Sequence, residues 1–156
     1  MTDKNPPERG LLISQIRNGT VIDHITAGEA LNVLRILGIV GTTQERLSIA
    51  TNVPSGKVGR KDIVKVENRE LCQEEVDRIA LIAPRATINI IRNYAVYEKM
   101  GVKIPELLRG VIHCPNPECI SNTHEPIESR FAVNDGMLRC EYCDWRINRN
   151  IPEHII

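Results

Sequence analysis

The sequence predicts an α+β fold, and three observations predict it. Hydrophobic periodicity switches between two residues and about 3.6 in the order β-α-β-β-α-β over the first two thirds of the chain. Two close cysteine pairs, Cys114/Cys119 and Cys140/Cys143, follow in the last third. Between these parts, Lys99-Met-Gly-Val-Lys-Ile-Pro105 reads as a connector. The first part is therefore expected to be a ferredoxin-like split βαβ domain, an antiparallel four-stranded sheet with two helices on one face and right-handed crossovers. The second is expected to be a small zinc-bound β domain. The expected division is 1–99, a hinge at 100–110, and 111–156.

The elements follow in order. Residues 1–9 are polar, carry two prolines and are expected to be loose. Residues 10–25 read as extended: Leu11, Leu12, Ile13 and Ile16 lead to a kink at Arg17-Asn18-Gly19. A strand over 20–25 then puts Val21, Asp23 and Ile25 on one face and Ile22 and His24 on the other. Thr26 and Glu29 have capping-box spacing, so a helix is expected to begin there. Its apolar stripe is Ala27, Ala30, Leu31, Leu34 and Leu37, and Gly38 or Gly41 ends it. Leu47 and Ile49 mark a second strand and Ile63-Val-Lys-Val66 a third, joined by a long flexible loop over 52–60. A second helix is expected over 73–83, burying Val76, Ile79, Ala80 and Ala83 behind an acidic first turn of Glu74 and Glu75. Residues 86–98, rich in β-branched side chains, make a fourth strand. Beyond it, 105–110 reads as a short turn of helix, and 131–133 and 137–139 as strands of a small sheet.

The cysteines carry the firmest chemistry. Cys114-Pro-Asn-Pro-Glu-Cys119 and Cys140-Glu-Tyr-Cys143 lie about twenty residues apart, and Asn134-Asp135-Gly136 offers a turn that brings the second pair back to the first. Two thiolate pairs supply the four corners of a tetrahedron, which suits one structural Zn²⁺. Disulfides are the competing reading; the absence of a secretory signal and the knuckle-like pairing weigh against them. A catalytic zinc keeps an open position with His or carboxylate among its ligands, and four thiolates fill the shell. Cys72 lies outside the set and reads as a packed or cap-region side chain.

Composition excludes further classes. The 156 residues carry no formal net charge, against the basic surface that a nucleic-acid coat requires. Aromatic content is 3%, so base-stacking platforms are scarce. No apolar run is long enough to span a bilayer, and the opening residues lack the regions of a signal peptide. Reduced thiols point to the cytoplasm. The competing functional classes are a nucleic-acid-binding zinc-ribbon protein and a zinc hydrolase with an open metal position.

Polar residues interrupt several of the strands, and periodicity alone does not bring them to one face. Asp23-His24 closes an apolar strand, Lys65 interrupts another, and Asn89, Ile91 and Asn93 alternate on the fourth, with Tyr94 and Lys99 beyond. Polar edge readers, an apolar seat and ammonium groups are the parts of a nucleotide site on the sheet face away from the helices. Each also has a bland reading as a solvated side chain, Lys65 as an amphipathic lysine reaching water. The stretch Asn52-Val-Pro-Ser-Gly-Lys-Val-Gly-Arg-Lys-Asp62 lacks the phosphate-loop spacing and leads into a strand rather than a helix.

An ordered set of motifs resembles the regulatory chains of aspartate carbamoyltransferase. It comprises Gly19-Thr-Val-Ile-Asp-His-Ile25, the 52–62 stretch, Ile63-Val-Lys-Val-Glu-Asn68, Ala83-Pro-Arg-Ala-Thr-Ile-Asn89, Asn93-Tyr94 and both cysteine pairs, so the resemblance covers nearly the whole chain. It implies a non-catalytic subunit of pyrimidine biosynthesis. Its N-terminal domain would bind ATP, CTP and UTP as allosteric effectors, and its zinc domain would dock on the catalytic chain. Regulatory chains of this family pair as homodimers, and the composition adds the expectation of no nucleic acid and no membrane as partners. On matching positions, Asp23, His24, Lys65, Asn89, Ile91, Tyr94 and Lys99 would line the effector site, with Ile16 and Val21 beside the base. Lys65 and Lys99 would meet phosphates; Asn89, Ile91 and Tyr94 would read base and ribose. Two stretches depart from the family's pattern, Pro117-Glu118 and Asp144-Trp145, both on turns that the resemblance turns toward the catalytic chain.

Overall fold

The computed structural model describes residues 15–39, 44–56 and 59–156. The expectations for 1–9, for Leu11, Leu12 and Ile13, for Gly41 and for Lys57 in the 52–60 loop lie outside the described residues. The chain divides into two compact units, Met1–Lys103 and Ile104–Ile156.

The first unit contains β1 (Gly19–Thr26), α1 (Ala30–Ile36), β2 (Leu47–Ser55), β3 (Gly59–Glu67), α2 (Gln73–Ile79), β4 (Thr87–Arg92) and β5 (Ala95–Gly101). Its sheet runs β2-β3-β1-β4-β5 with every neighbouring pair antiparallel. The α+β class and the β-α-β-β-α-β order hold, with one strand more than expected. The run expected as a single strand over 86–98 folds back at Asn93-Tyr94, both at positive φ (52° and 66°), in a two-residue turn that pairs Arg92 with Ala95. Lys99 consequently lies inside β5 rather than past the last strand. The flexible loop expected over 52–60 is also mostly ladder, with Val53 opposite Lys61 and Ser55 opposite Gly59. Pro54 is tolerated there because β2 is an edge strand.

Both strands beside β3 carry a bulge. Register on β1 shifts between Ile22 and Ile25, where His24 has φ +57°; on β2 it shifts between Ala50 and Val53, where Asn52 has φ +54°. The extra residue on β1 returns Ile25 to the buried face beside Ile22, correcting the strict alternation expected there. Gly19 opens the strand at φ +144°, where a Cβ would stand 2.1 Å from the Val66 carbonyl oxygen, so only glycine fits.

Helix α1 starts later than expected. Its N-cap residue Glu29 makes no side-chain cap bond, and its buried residues are Ala30, Val33, Leu34 and Ile36, followed by Leu37, with Leu31 exposed. It ends at Gly38 (φ +74°), with Gly38 N–H on the Arg35 carbonyl and Ile39 N–H on that of Leu34, the two bonds of a Schellman motif. Helix α2 stops at Ile79, yet Ala80 and Ala83 remain buried because successive turns carry the chain on to Ala86. Ile22, Ile25, Val33, Val64, Val66, Val76, Ile79 and Ile88 are fully buried and form the core. Each contributes roughly 1.5–3 kcal/mol.

The second unit contains β6 (Leu107–Arg109), β7 (Arg130–Asn134), β8 (Met137–Cys140) and β9 (Arg146–Ile147), ordered β6-β7-β8-β9. The expected strands at 131–133 and 137–139 are present. The helical turn expected over 105–110 is instead β6, whose Leu108 pairs with Phe131 so that both are buried. Asp135 and Gly136 (φ 48° and 77°) make the reversal between β7 and β8. The small core is Leu108, Val111, Ile112, Phe131, Leu138 and Ile147.

Candidate functional site

The metal centre is built by two turns. Cys140 ends β8 and pairs with Phe131 on β7. Its N–H donates to the Trp145 carbonyl (2.8 Å) while its own carbonyl accepts from Asp144 N–H (2.9 Å). At the other turn, Cys119 N–H donates to the Asn116 carbonyl (3.0 Å). Asn122, which nothing in the cysteine spacing singles out, clamps that turn. Its side-chain amide donates to the carbonyls of Cys114 (2.8 Å) and Asn116 (2.6 Å).

These turns bring the Sγ atoms of Cys114, Cys119, Cys140 and Cys143 within 4.8 Å of one another. Cys114–Cys143 and Cys119–Cys140 are each 3.6 Å apart, and all four are free thiols rather than disulfides. A tetrahedron with metal–sulfur bonds of roughly 2.3 Å has sulfur–sulfur edges of about 3.8 Å, so the set fits a four-thiolate metal ion. Burial pushes the Cys114 and Cys140 thiols up. At Cys143 burial acts the same way but is outweighed by hydrogen bonds from the Asn116 side chain and the Trp145 backbone, which bring it down to about 7. Cys72 stands apart, exposed at the N-cap of α2, where its N–H donates to Glu75 Oε1 (3.1 Å).

The second candidate site is the sheet face of the first unit away from its fully buried side chains. Lys65 on β3 stands opposite Val21 on β1, Val21 opposite Asn89 on β4, and Asn89 opposite Lys99 on β5. The four residues form one cross-strand row, with its lysines three interstrand steps or roughly 14 Å apart at the backbone. Ile91 lies two residues beyond Asn89, opposite Gly19, and is buried. Asp23 lies two residues beyond Val21, opposite Thr87. Tyr94 is at the exposed turn past Arg92, its N–H donating to the Arg17 carbonyl (2.9 Å). Lys65, Asn89 and Lys99 are thus brought together with Asp23 and Ile91 flanking, and Tyr94 stands at the hairpin end.

Electrostatics distinguish the two polar ends. Burial draws the Lys65 pKa down, and the Asp23 carboxylate offsets part of that. Asp23 Oδ1 accepts from His24 N–H (2.6 Å) and pairs with Lys61 Nζ (3.0 Å). The His24 ring, 3.2 Å from Thr87 Oγ1 through Nδ1, is thereby fixed at the bulge. No sequence pattern marks Lys61 or Thr87; the first stands opposite Thr26 beyond the bulge and the second opposite Asp23. Beneath them Asp62, fully buried, accepts three backbone hydrogen bonds. Oδ2 takes Gly28 N–H (2.9 Å) and Ala30 N–H (3.0 Å), and Oδ1 takes Asn52 N–H (2.8 Å). This carboxylate replaces the capping box expected from Thr26 and Glu29.

A cleft of about 400 Å³ lies elsewhere, lined by Asn18, Gly19, Asn68, Arg69, Glu70, Arg92 and Asn93. Its cations are already engaged: Arg69 bonds the Leu37 carbonyl and Glu75, and Arg92 bonds both oxygens of Glu70. The polar sheet face therefore carries the stronger case for a ligand. No helix among the described residues is long and apolar enough to cross a membrane.

Comparison with known proteins bears on both sites. Residues 11–103 match the family model described as the aspartate carbamoyltransferase regulatory chain, allosteric domain, and residues 106–153 match that of its metal binding domain. Among curated relatives, the aspartate carbamoyltransferase regulatory chain of Methanoculleus marisnigri is 70% identical over 150 residues, 96% of this chain and 97% of the relative. That of Methanosphaerula palustris is 64% identical over 156 residues and the full length of both. That of Haloarcula marismortui is 56% identical over 149 residues, 96% of each.

Proposed function

The chain belongs to the family of aspartate carbamoyltransferase regulatory chains, with an allosteric and a metal-binding domain, and from that premise we propose that it is a non-catalytic allosteric subunit whose polar sheet face binds nucleoside triphosphates. ATP, CTP and UTP are the effectors, and one Zn²⁺ is held by Cys114, Cys119, Cys140 and Cys143. The subunit works in the cytoplasm as a homodimer bound to catalytic chains. The observation that supports the reading most is the Lys65–Val21–Asn89–Lys99 row, which lies within the stretch matched by the allosteric-domain model.

On this reading the two ammonium groups take the phosphates. Lys65 is held partly out of water, so an arriving phosphate restores the charge stabilisation that burial removes. Asn89 carries both donor and acceptor, as discrimination between bases requires. Ile91 supplies an apolar seat, and Tyr94 a ring at the end of the face. Asp23 and His24 hold the opposite end, with Lys61 balancing the carboxylate. The metal supplies a cross-link between two turns and leaves no open coordination position for chemistry. Ile120, Tyr142 and Trp145, all partly exposed beside the cysteines, give the second unit an apolar surface for the catalytic chain. Effector and catalytic sites would be coupled by ~1–3 kcal/mol.

The experiment is co-purification with a tagged catalytic chain from the same cell, followed by titration of carbamoyltransferase activity with each nucleotide. The expected result is capture of this chain and nucleotide-dependent shifts in a turnover that it lacks alone. Turnover by the isolated chain, or failure of capture, contradicts the proposal.

A further inference from the structure

We propose that Asp62 is the positioning residue of the nucleotide face: a buried carboxylate that holds the bulge carrying Asp23 and His24, so that effector affinity depends on it although it touches no effector. The inference rests on the reading of the polar sheet face as the nucleotide site.

A fully buried carboxylate is costly unless its oxygens are satisfied. Here three N–H donors from three segments converge on it. Gly28 is in the turn after β1, Ala30 is the first residue of α1, and Asn52 sits at the β2 bulge. Only a carboxylate offers two acceptor oxygens and no donor; asparagine would set its own N–H₂ against one of these three N–H groups. Asp62 stands opposite Ile25, the first residue paired again after the β1 bulge. Its neighbour Lys61 alternates to the other face and bonds the Asp23 carboxylate at 3.0 Å. One side of β3 therefore anchors the exit of β1 through Asp62, while the next residue holds Asp23 from above. Shortening or reversing the Asp62 contacts releases the segment 23–30 at its far end, and Asp23 and His24 with it.

The test is calorimetric titration of the full chain with ATP in four forms: parent, Asp62→Asn, Asp23→Asn and the double variant. Asp62→Asn is expected to weaken ATP about tenfold, the low end of what loss of an orienting partner does to a bound ion. In the Asp23→Asn background the same change should cost clearly less, since one of its two routes to the ligand is gone and only that through His24 remains. Comparable losses in both backgrounds, or none in the parent background, overturn the inference, because a general loss of stability would not distinguish them. Hydrogen exchange on the unmodified chain keeps the question open to test should Asp62→Asn fail to fold. Saturating ATP should slow exchange at the Gly28, Ala30 and Asn52 amides more than at Val66 or Ile90, and equal changes at all five overturn the inference. If the parent binds no nucleotide in either experiment, the proposed function fails instead.

Discussion

Among the described residues, five strands and two helices of the N-terminal unit surround eight fully buried Ile and Val side chains; in the C-terminal unit, four strands, the last only Arg146–Ile147, surround six buried apolar side chains and four thiols. The first has enough apolar surface to fold around itself. The second is of a size at which a hydrophobic core rarely supplies more than about 3–5 kcal/mol, and it places a cross-link where more core would otherwise stand. The lesson is that the units fail differently. One is held by area and tolerates polar substitutions on its open face. The other is held by four atoms and tolerates none of them being lost.

The largest test of this contrast is removal of the metal. Chelation, or Cys140→Ser, should abolish the folding energy of the site, about 10–16 kcal/mol for comparable structural zinc modules. Trp145 is the only tryptophan and lies in the second unit, so its fluorescence should report unfolding there. Far-UV circular dichroism should still show the melting transition of the first unit. A single joint transition would show that the units do not stand separately. Elemental analysis of the native protein should find one zinc per chain, unchanged in Cys72→Ser.

The converse perturbation is a cavity in the first unit. Ile88→Ala should cost about 2–5 kcal/mol there. Urea unfolding followed by circular dichroism should shift accordingly, while metal content and the Trp145 signal stay at parental values.

Smaller still are changes on the open face. Lys65→Ala and Lys99→Ala should each weaken ATP and CTP alike, by about 1.5–3 kcal/mol, or roughly ten- to a hundredfold. Asn89→Ala should change the ratio of the two affinities more than their mean. Calorimetry of these variants with both nucleotides checks the division of roles, and neither stability nor metal content should move. Because burial lowers the free Lys65 pKa and a bound phosphate would raise it, affinity should be full below the free-state value and fall as pH rises through it.

The smallest expected effect is at Glu75. Burial opposes its ionised form, but hydrogen bonds from Cys72 N–H and Arg69 outweigh burial and hold the carboxyl below its ordinary value. A folded pKa below the unfolded one means the stabilisation is complete above the unfolded value and is lost as pH falls through the folded value. Glu75→Gln should therefore lower the melting temperature slightly at pH 7, with the difference closing in acid.

Legibility followed the same division. The four cysteines could be read directly because metal ligands must recur at turn spacing, and β7 and β8 followed from the Asp135-Gly136 turn between them, whereas β6 and β9 carry no such signal. On the first sheet the alternation of Asn89 and Ile91 was legible, but the row joining Lys65, Val21, Asn89 and Lys99 was not, because it depends on the register of four strands and on β5. The β4–β5 reversal was hidden because Tyr94, a poor residue for positive φ, sits in the turn. Asp62 was hidden for another reason. Its partners at 28, 30 and 52 share no period with it, and only the folded register brings three backbone donors to one carboxylate. Leu31 falls on the helical stripe only if the helix begins at Ala27; it begins three residues later, at Ala30, and Leu31 is exposed.

The bulge on β1 has a consequence for how this sequence can change over generations. Asp23 and His24 together face the single residue Ile63 between the pairs Ile22–Val64 and Ile25–Asp62. Removing His24 would leave an unbroken ladder in which Ile22 and Ile25 still point inward and Asp23 still points outward. The hydrophobic core does not require this residue, and an idealised redesign of the strand would delete it. If the polar sheet face is the proposed effector site, a lineage released from the need to regulate would drift toward that simpler strand, and a one-residue gap at this point in a homologous sequence would be a readable sign of it.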